Sequence, residues 1–204
     1  AAPARWPQTT VGELARAGAL SLHTATSPGT PGAPTTPARV PVRTVRTVRA
    51  VLTDHDVLTG TAPSGTHTAD DDPVLLAPGD IVVPVIGAGA AARVVDEATA
   101  GAALGRGLAL LRPDPDALDP WFVAGFLRST ANNRQASSYA STATRLDVRR
   151  LQLPRLPRSE QARYGARFSA LAAFEDALRQ ASRLGEQLVQ GLYDGLTDGT
   201  LDPE

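Results

Sequence analysis

The chain contains no cysteine, no methionine and no lysine. Without cysteine there is neither a disulfide framework nor a thiolate metal site, and the redox compartment stays undetermined. The missing methionine extends to position 1, which is alanine, and this points to a segment cut from something longer. The missing lysine makes all 20 basic residues arginine. A guanidinium fork suits phosphates and guanine edges, but the accompanying excess of alanine, glycine and proline reads as codon usage in a GC-rich genome. Only clustering therefore carries information. Net charge is −1, so no global field recruits an acidic partner and any electrostatic footprint must be local. No apolar run reaches bilayer length and no signal sequence opens the chain, so a soluble cytoplasmic protein without a membrane partner is expected. His23, His55 and His67 lie in loop-like stretches without metal-ligand spacing, and no metal is expected.

What is present begins with size: 204 residues, 42% of them apolar, suffice for one domain and an appendage. The appendage is legible. Pro154 and Pro157 forbid helix before Ser159, the natural N-cap. From there to about Leu196 no proline intervenes, and Leu171, Phe174, Leu178, Ala181, Leu188 and Leu192 recur at a/d spacing interrupted by Gly185. Such a helix would be about 55 Å long, too long for a lone domain of this size to cover. It wants a partner helix.

Earlier in the chain, Thr10 and Glu13 form a capping-box pattern opening a short helix. Residues 24–38 are a Pro, Gly and Thr-rich loop, 40–52 a strand carrying Arg43, Arg46 and Arg49, 54–60 a turn, and 60–73 a second loop. Residues 75–95 read as turn, strand, glycine turn and return strand, and 104–111 as a further strand. Asp119 and Pro120 then open a helix of about a dozen residues. A small polar loop over 132–145 precedes a short helix at 146–151 that has Asp147 near its start.

Two motifs suggest chemistry. Gly87, Gly89 and Ala92 after the strand resemble a G-x-G-x-x-A nucleotide loop, but no strong helix follows and Pro84 argues against a central parallel strand, so a hairpin turn is expected. Asp119-Pro120-Trp121-Phe122 nearly matches the D/N-P-P-Y/F motif of amino-methyltransferases but lacks the second proline, and helix capping explains it fully. No catalytic residue is assigned. What remains is local positive charge: eight arginines against two carboxylates between positions 134 and 167, joined by Arg43, Arg46 and Arg49.

The segments W-x4-VGEL (6–14), LAPGDIVV (76–83), LRPDPDALDPWFVAGFLRS (111–129), TRLDVRRLQLPRLPRSEQ (144–161), a long helix and GLTDGTL (195–201) together resemble the target-recognition repeat of type I restriction-modification specificity subunits. The same module ends fused N6-adenine DNA methyltransferases. The resemblance covers nearly the whole chain except its two low-complexity loops. It implies an α+β fold, with a mixed or antiparallel-sheet recognition domain over 1–156 and a helical coiled-coil arm over 157–204. It also implies a module that reads half of a bipartite duplex DNA site without catalysis of its own. The partners implied are an adenine methyltransferase subunit or domain, which uses S-adenosylmethionine, and a second recognition repeat or a second copy joined through the arm. Specificity subunits usually carry two repeats and this chain has one, so a half-subunit or the tail of a methyltransferase is expected. The DNA contacts expected are Arg43, Arg46, Arg49, Arg93, Arg134, Ser138, Tyr139, Thr142, Thr144 and Arg145, and Leu171, Phe174, Leu178, Leu188 and Leu192 are expected to pair the helices. The competing functions are a methyltransferase using the 87–92 loop and a structural coiled-coil adaptor.

Overall fold

A computed structural model describes residues 6–25, 49–67, 73–86, 91–140 and 143–202. Arg43, Arg46, Thr142 and the glycines at 87 and 89 lie outside the described residues, and of Ser138, Tyr139 and Thr144 only the backbone is described.

The fold is α+β, as expected, and its centre is an antiparallel four-stranded sheet. In it β2 (Leu20–Thr24), β8 (Leu108–Pro113), β5 (Ile81–Pro84) and β6 (Arg93–Val94) are neighbours in that order. The apolar runs at 81–83 and 108–111 do not alternate with polar residues because both faces of the sheet are covered. Ile81, Val83, Ala109 and Leu111 enter one core with Val11, Phe122, Val123, Leu127, Leu151 and Leu153. Val82, Leu108 and Leu110 enter the other with Leu52, Val57 and Leu104.

The second core is closed by β3 (Arg49–Leu52), β4 (Gly65–His67) and β7 (Ala103–Leu104), with β3 and β7 parallel. A β-carbon at Gly105 would collide with the Leu52 carbonyl, so that close approach needs glycine. The turn expected at 54–60 is instead helix α2 (Asp54–Thr59). Thr53 and Asp56 form a capping box and Gly60 ends the helix at φ 69°. Dense Asp and Thr looked like turn chemistry, and the same residues cap a helix. The loop expected at 60–73 contains β4, and the single strand expected at 104–111 is divided by a turn at Gly107 (φ 74°) into β7 and β8 in different sheets.

The first core is closed by β1 (Gln8–Thr10), paired antiparallel with β11 (Gln152–Pro154), and by α1 (Val11–Arg16) with its expected capping box. The helix expected over a dozen residues from Pro120 breaks in two. α3 (Pro120–Leu127) is capped by Asp119 Oδ1, which accepts from Phe122 N at 2.8 Å, and α4 (Thr130–Ala136) is capped by Ser129. The expected polar loop is α4 followed by an antiparallel hairpin, β9 (Ser137–Ala140) and β10 (Ala143–Leu146). A 3₁₀ turn at Val148–Arg150, capped by Asp147, follows as expected.

α5 (Arg158–Asp198) has 41 residues and is about 60 Å long. It begins one residue before Ser159, which therefore does not cap it. The Pro157 carbonyl accepts from Glu160 N and Gln161 N, and no side chain caps the first turn. Its root is fixed to α3, which runs beside it in the same direction. Phe122, Phe126, Tyr164 and Phe168 form an aromatic cluster with ring centroids 5.0–6.5 Å apart. A β-carbon at Gly125 would enter the Phe168 ring, and one at Gly165 would strike Asp119. Buried Gln161 accepts from Asp119 N at 3.0 Å and donates to the carbonyls of Leu156 at 2.9 Å and Ala117 at 3.3 Å. The last tie is ionic, from Arg128 to Glu175 at 2.7 Å, with Arg179 bonding Glu175 and Asp176. The Arg128 fork outweighs burial and holds the Glu175 carboxyl below its usual range.

Gln161, Gly165, Phe168, Ala172, Glu175 and Arg179 thus make the docked stripe. Leu171, Phe174, Leu178, Ala181, Leu188 and Leu192 lie on a second stripe, roughly 130° further round the axis. Leu171 and Phe174 are each 62% exposed and Leu188 65%. From position 180 to 194 every residue is exposed. The rod expected to outgrow its globule does so.

Candidate nucleic-acid interface

β2 is an edge of the central sheet and pairs only with β8 among the described residues. Beside it runs an open groove of about 1050 Å³, bounded by α1, the 3₁₀ turn and the end of β8, and lined by Arg16, Arg112, Gln135, Arg149 and Arg150. A second hollow continues it along Leu22, Thr24, Val85, Arg145 and Arg149. The fold thereby collects guanidiniums from α1, β10 and the 3₁₀ turn on one face.

Local geometry decides which of these charges can meet a ligand. Arg112 cannot do so freely, because its fork closes on the buried carboxylate of Asp80 at 2.8 and 2.7 Å, and that bond raises its pKa further. Arg16, Arg145, Arg149 and Arg150 are exposed or at the groove wall, and none is in an ion pair among the described residues. Asp147 accepts from Arg149 N at 3.1 Å and so points its charge at backbone. The groove also contains Asp114. The turn that presents Arg149 and Arg150 is fixed from behind by Asn132 of α4, which bonds the Gln152 N–H at 2.8 Å and its carbonyl at 2.8 Å.

Of the DNA contacts expected from sequence, Arg145 lies on this face, and Arg134 is exposed on α4, one residue before the groove-lining Gln135. The backbones of Ser138, Tyr139 and Thr144 belong to the hairpin that presents Arg145. Arg49 is exposed but sits on β3, in the sheet that covers the opposite face of the central one. Arg93 turns inward. Its guanidinium donates to the carbonyls of Thr61 at 2.5 Å and Asp56 at 3.4 Å and to Thr99 Oγ1 at 3.0 Å, so it ties α2 to the turn after β6. Arg16, Arg149 and Arg150 were not among the expected contacts. The first two lie far apart in sequence, and only the packing of α1 on the 3₁₀ turn unites them; a β-carbon at Gly12 would stand 3.1 Å from the Arg149 carbonyl.

The catalytic alternatives gain nothing. β5 returns antiparallel as β6, in the register Ile81 to Val94, so the strand does not lead into a helix whose N-terminus would receive a phosphate. Asp119 is occupied as a cap. Among the described residues no group of three His, Asp or Glu side chains could hold a metal, and no helix is long and apolar enough to cross a membrane.

This architecture, a small α+β unit carried on one long helix, is the fold of type I restriction-modification specificity subunits. The chain superposes on one chain of the type I R-M system with TM-score 0.59 and 18% identity, over 97% of its own length and 46% of the other. It matches the HsdS subunit from Thermoanaerobacter tengcongensis with TM-score 0.52 and 21% identity over 98% and 47%. For the type I system S subunit from M. genitalium the values are 0.52 and 17% over 91% and 43%. The chain thus spans about half the length of each. No protein-family model and no curated protein matches the sequence.

Proposed function

We propose that the chain is a non-catalytic DNA-recognition unit of a type I-like restriction-modification or N6-adenine methylation system, with a reading head over 1–156 and a pairing arm over 157–204. The observation that carries this is the union of Arg16, Arg145, Arg149 and Arg150, none of them ion-paired among the described residues, on one open face of a fold shared, over nearly the whole chain, with specificity subunits. Guanidiniums on such a face hold phosphates and set register, while sequence is read by side chains that reach the base edges. The length match to about half of each S subunit supports one head reading half of a bipartite site. The exposed Leu171–Leu192 stripe supports pairing with a second repeat or a second copy. S-adenosylmethionine and the reacting adenine belong to the methyltransferase partner.

The test is selection from a random duplex pool at low salt, followed by calorimetry of the chain with S-adenosylmethionine. Retention of a shared sequence and no heat with the cofactor are expected. A pool that passes through unretained would refute the reading, and heat with the cofactor would move the chain to the enzymes.

A further inference from the structure

α4 carries three side-chain amides, and two of them are spent holding the helix in place. Asn132 donates to the carbonyls of Gln152 at 2.8 Å and Phe126 at 3.2 Å, and accepts from Gln152 N at 2.8 Å. Asn133 donates to the carbonyls of Leu127 and Ser129. The Ala136 carbonyl accepts from Asp147 N at 3.1 Å, so the turn that carries Arg149 and Arg150 is pinned to α4 at both ends. The third amide is left open. Gln135, one turn on from Asn132, lines the groove with Arg16, Arg149 and Arg150, is exposed, and makes no side-chain hydrogen bond among the described residues. Other polar groups of that lining are engaged. Thr10 Oγ1 accepts from Glu13 N, Ser21 Oγ meets His23 Nε2 at 3.0 Å, and Asp114 Oδ1 accepts from Asp116 N at 3.0 Å. Gln152, the other amide in the groove, is half-buried. An exposed glutamine is ordinary on a protein surface. One whose helix is fixed by its neighbours, while its own amide stays open on a wall of guanidiniums, is a pre-organised donor and acceptor.

Arginines on phosphates would bind any duplex equally, so readout of sequence needs a group of different chemistry in the same groove. The major groove, about 12 Å wide, admits an α-helix, and adenine presents there its N7 acceptor beside its N6 amino donor. A carboxamide matches that pair with its own NH2 and oxygen, whereas guanine offers two acceptors. The exposed side of α4 also carries Thr130 and Ala131, short enough to let a base edge come close. We infer that Gln135 is a specificity-determining residue that reads one adenine through N6 and N7 in the major groove, while Arg149 and Arg150 hold adjacent phosphates. This rests on the DNA-recognition reading above.

The experiment uses the 204-residue chain, a duplex it selects from a random pool, an unrelated duplex, and versions of the selected duplex with each adenine replaced in turn by 7-deazaadenine. That base keeps its Watson–Crick pairing and lacks the N7 acceptor. Gln135→Ala is expected to weaken binding to the selected duplex by about 10- to 100-fold and to leave both the unrelated duplex and the melting temperature unchanged. One 7-deazaadenine change should weaken the wild type and leave the Gln135→Ala variant unaffected. Equal affinity of Gln135→Ala and wild type for the selected duplex, equal losses on both duplexes, or a wild type indifferent to every 7-deazaadenine would overturn the inference. In that case an Arg149→Ala/Arg150→Ala variant weakened on both duplexes keeps the DNA reading standing. A wild-type chain that retains no duplex overturns both.

Discussion

The salt dependence of DNA binding tests the basic face most directly. If Arg16, Arg145, Arg149 and Arg150 each neutralise one phosphate, the slope of log K against log salt is about −3.6, at roughly 0.9 per phosphate. Affinity then falls about 150-fold between 50 and 200 mM salt. Replacing Arg149 and Arg150 by alanine removes two of the four contacts, so the slope should flatten to about −1.8 and the same change in salt should cost only about 12-fold. Both side chains are exposed and neither is ion-paired among the described residues, so folding should be unaffected. Fluorescence anisotropy of a labelled duplex over 50–300 mM salt measures the slope, with Arg183→Ala on the exposed outer arm as a control that leaves it unchanged. A double variant that melts like the wild type and keeps its slope would refute the assignment of the groove.

Three other outcomes follow from the packing. Gln161→Leu leaves the Asp119 N–H and the Leu156 and Ala117 carbonyls unpaired and should destabilise the fold by about 2–4 kcal/mol, lowering Tm by roughly 5–12 °C; a calorimetric scan within 1 °C of wild type would show that the arm root does not depend on that amide. At Asp56, burial pushes the carboxyl up, but the amides and hydroxyls of Thr53 and Ser64 outweigh it and hold it well below its ordinary range. Its stabilisation is therefore complete above about pH 4 and drains away as pH falls further, so urea midpoints of Asp56→Asn should lose much of the wild type's decline below that pH. Leu178→Glu with Leu188→Glu should abolish self-association in light scattering while leaving the melting of the globule unchanged, because neither residue lies on the docked stripe; an unchanged mass would remove this stripe from the interface.

Features written in local chemistry were readable from the sequence. Thr10 with Glu13, Asp119 with Pro120, and the spacing of Leu171, Phe174 and Leu178 each specify an element through neighbours within a few positions. The misreadings share one cause, since small polar residues serve turns and caps alike. Thr53 and Asp56 cap a helix where a turn was expected, and Ser129 begins a second helix where one was expected to continue. The basic face was legible only in part. Arg145 could be found in a run of like charge, whereas Arg16 joins Arg149 through the tertiary packing of α1, and Arg93 is withdrawn by carbonyls that no spacing rule anticipates. Gln161 stood in a recognisable motif, but its buried bonds to Asp119, Ala117 and Leu156 depend on how α3 meets α5.

Beyond Arg179 the long helix has, among the described residues, no tertiary support except the fold-back of Leu201 onto Gly195 at its tip. Gly185 and Gly191 stand in open space there, and each weakens a helix by about 1 kcal/mol relative to alanine. In proteins most of a helix's stability comes from the packing of its apolar face, and this stretch has almost none among the described residues, so its ordering and its association are thermodynamically linked. Ellipticity at 222 nm should climb as protein concentration rises, and amide exchange in the outer turns should slow in step, so the distal rod reports its own occupancy.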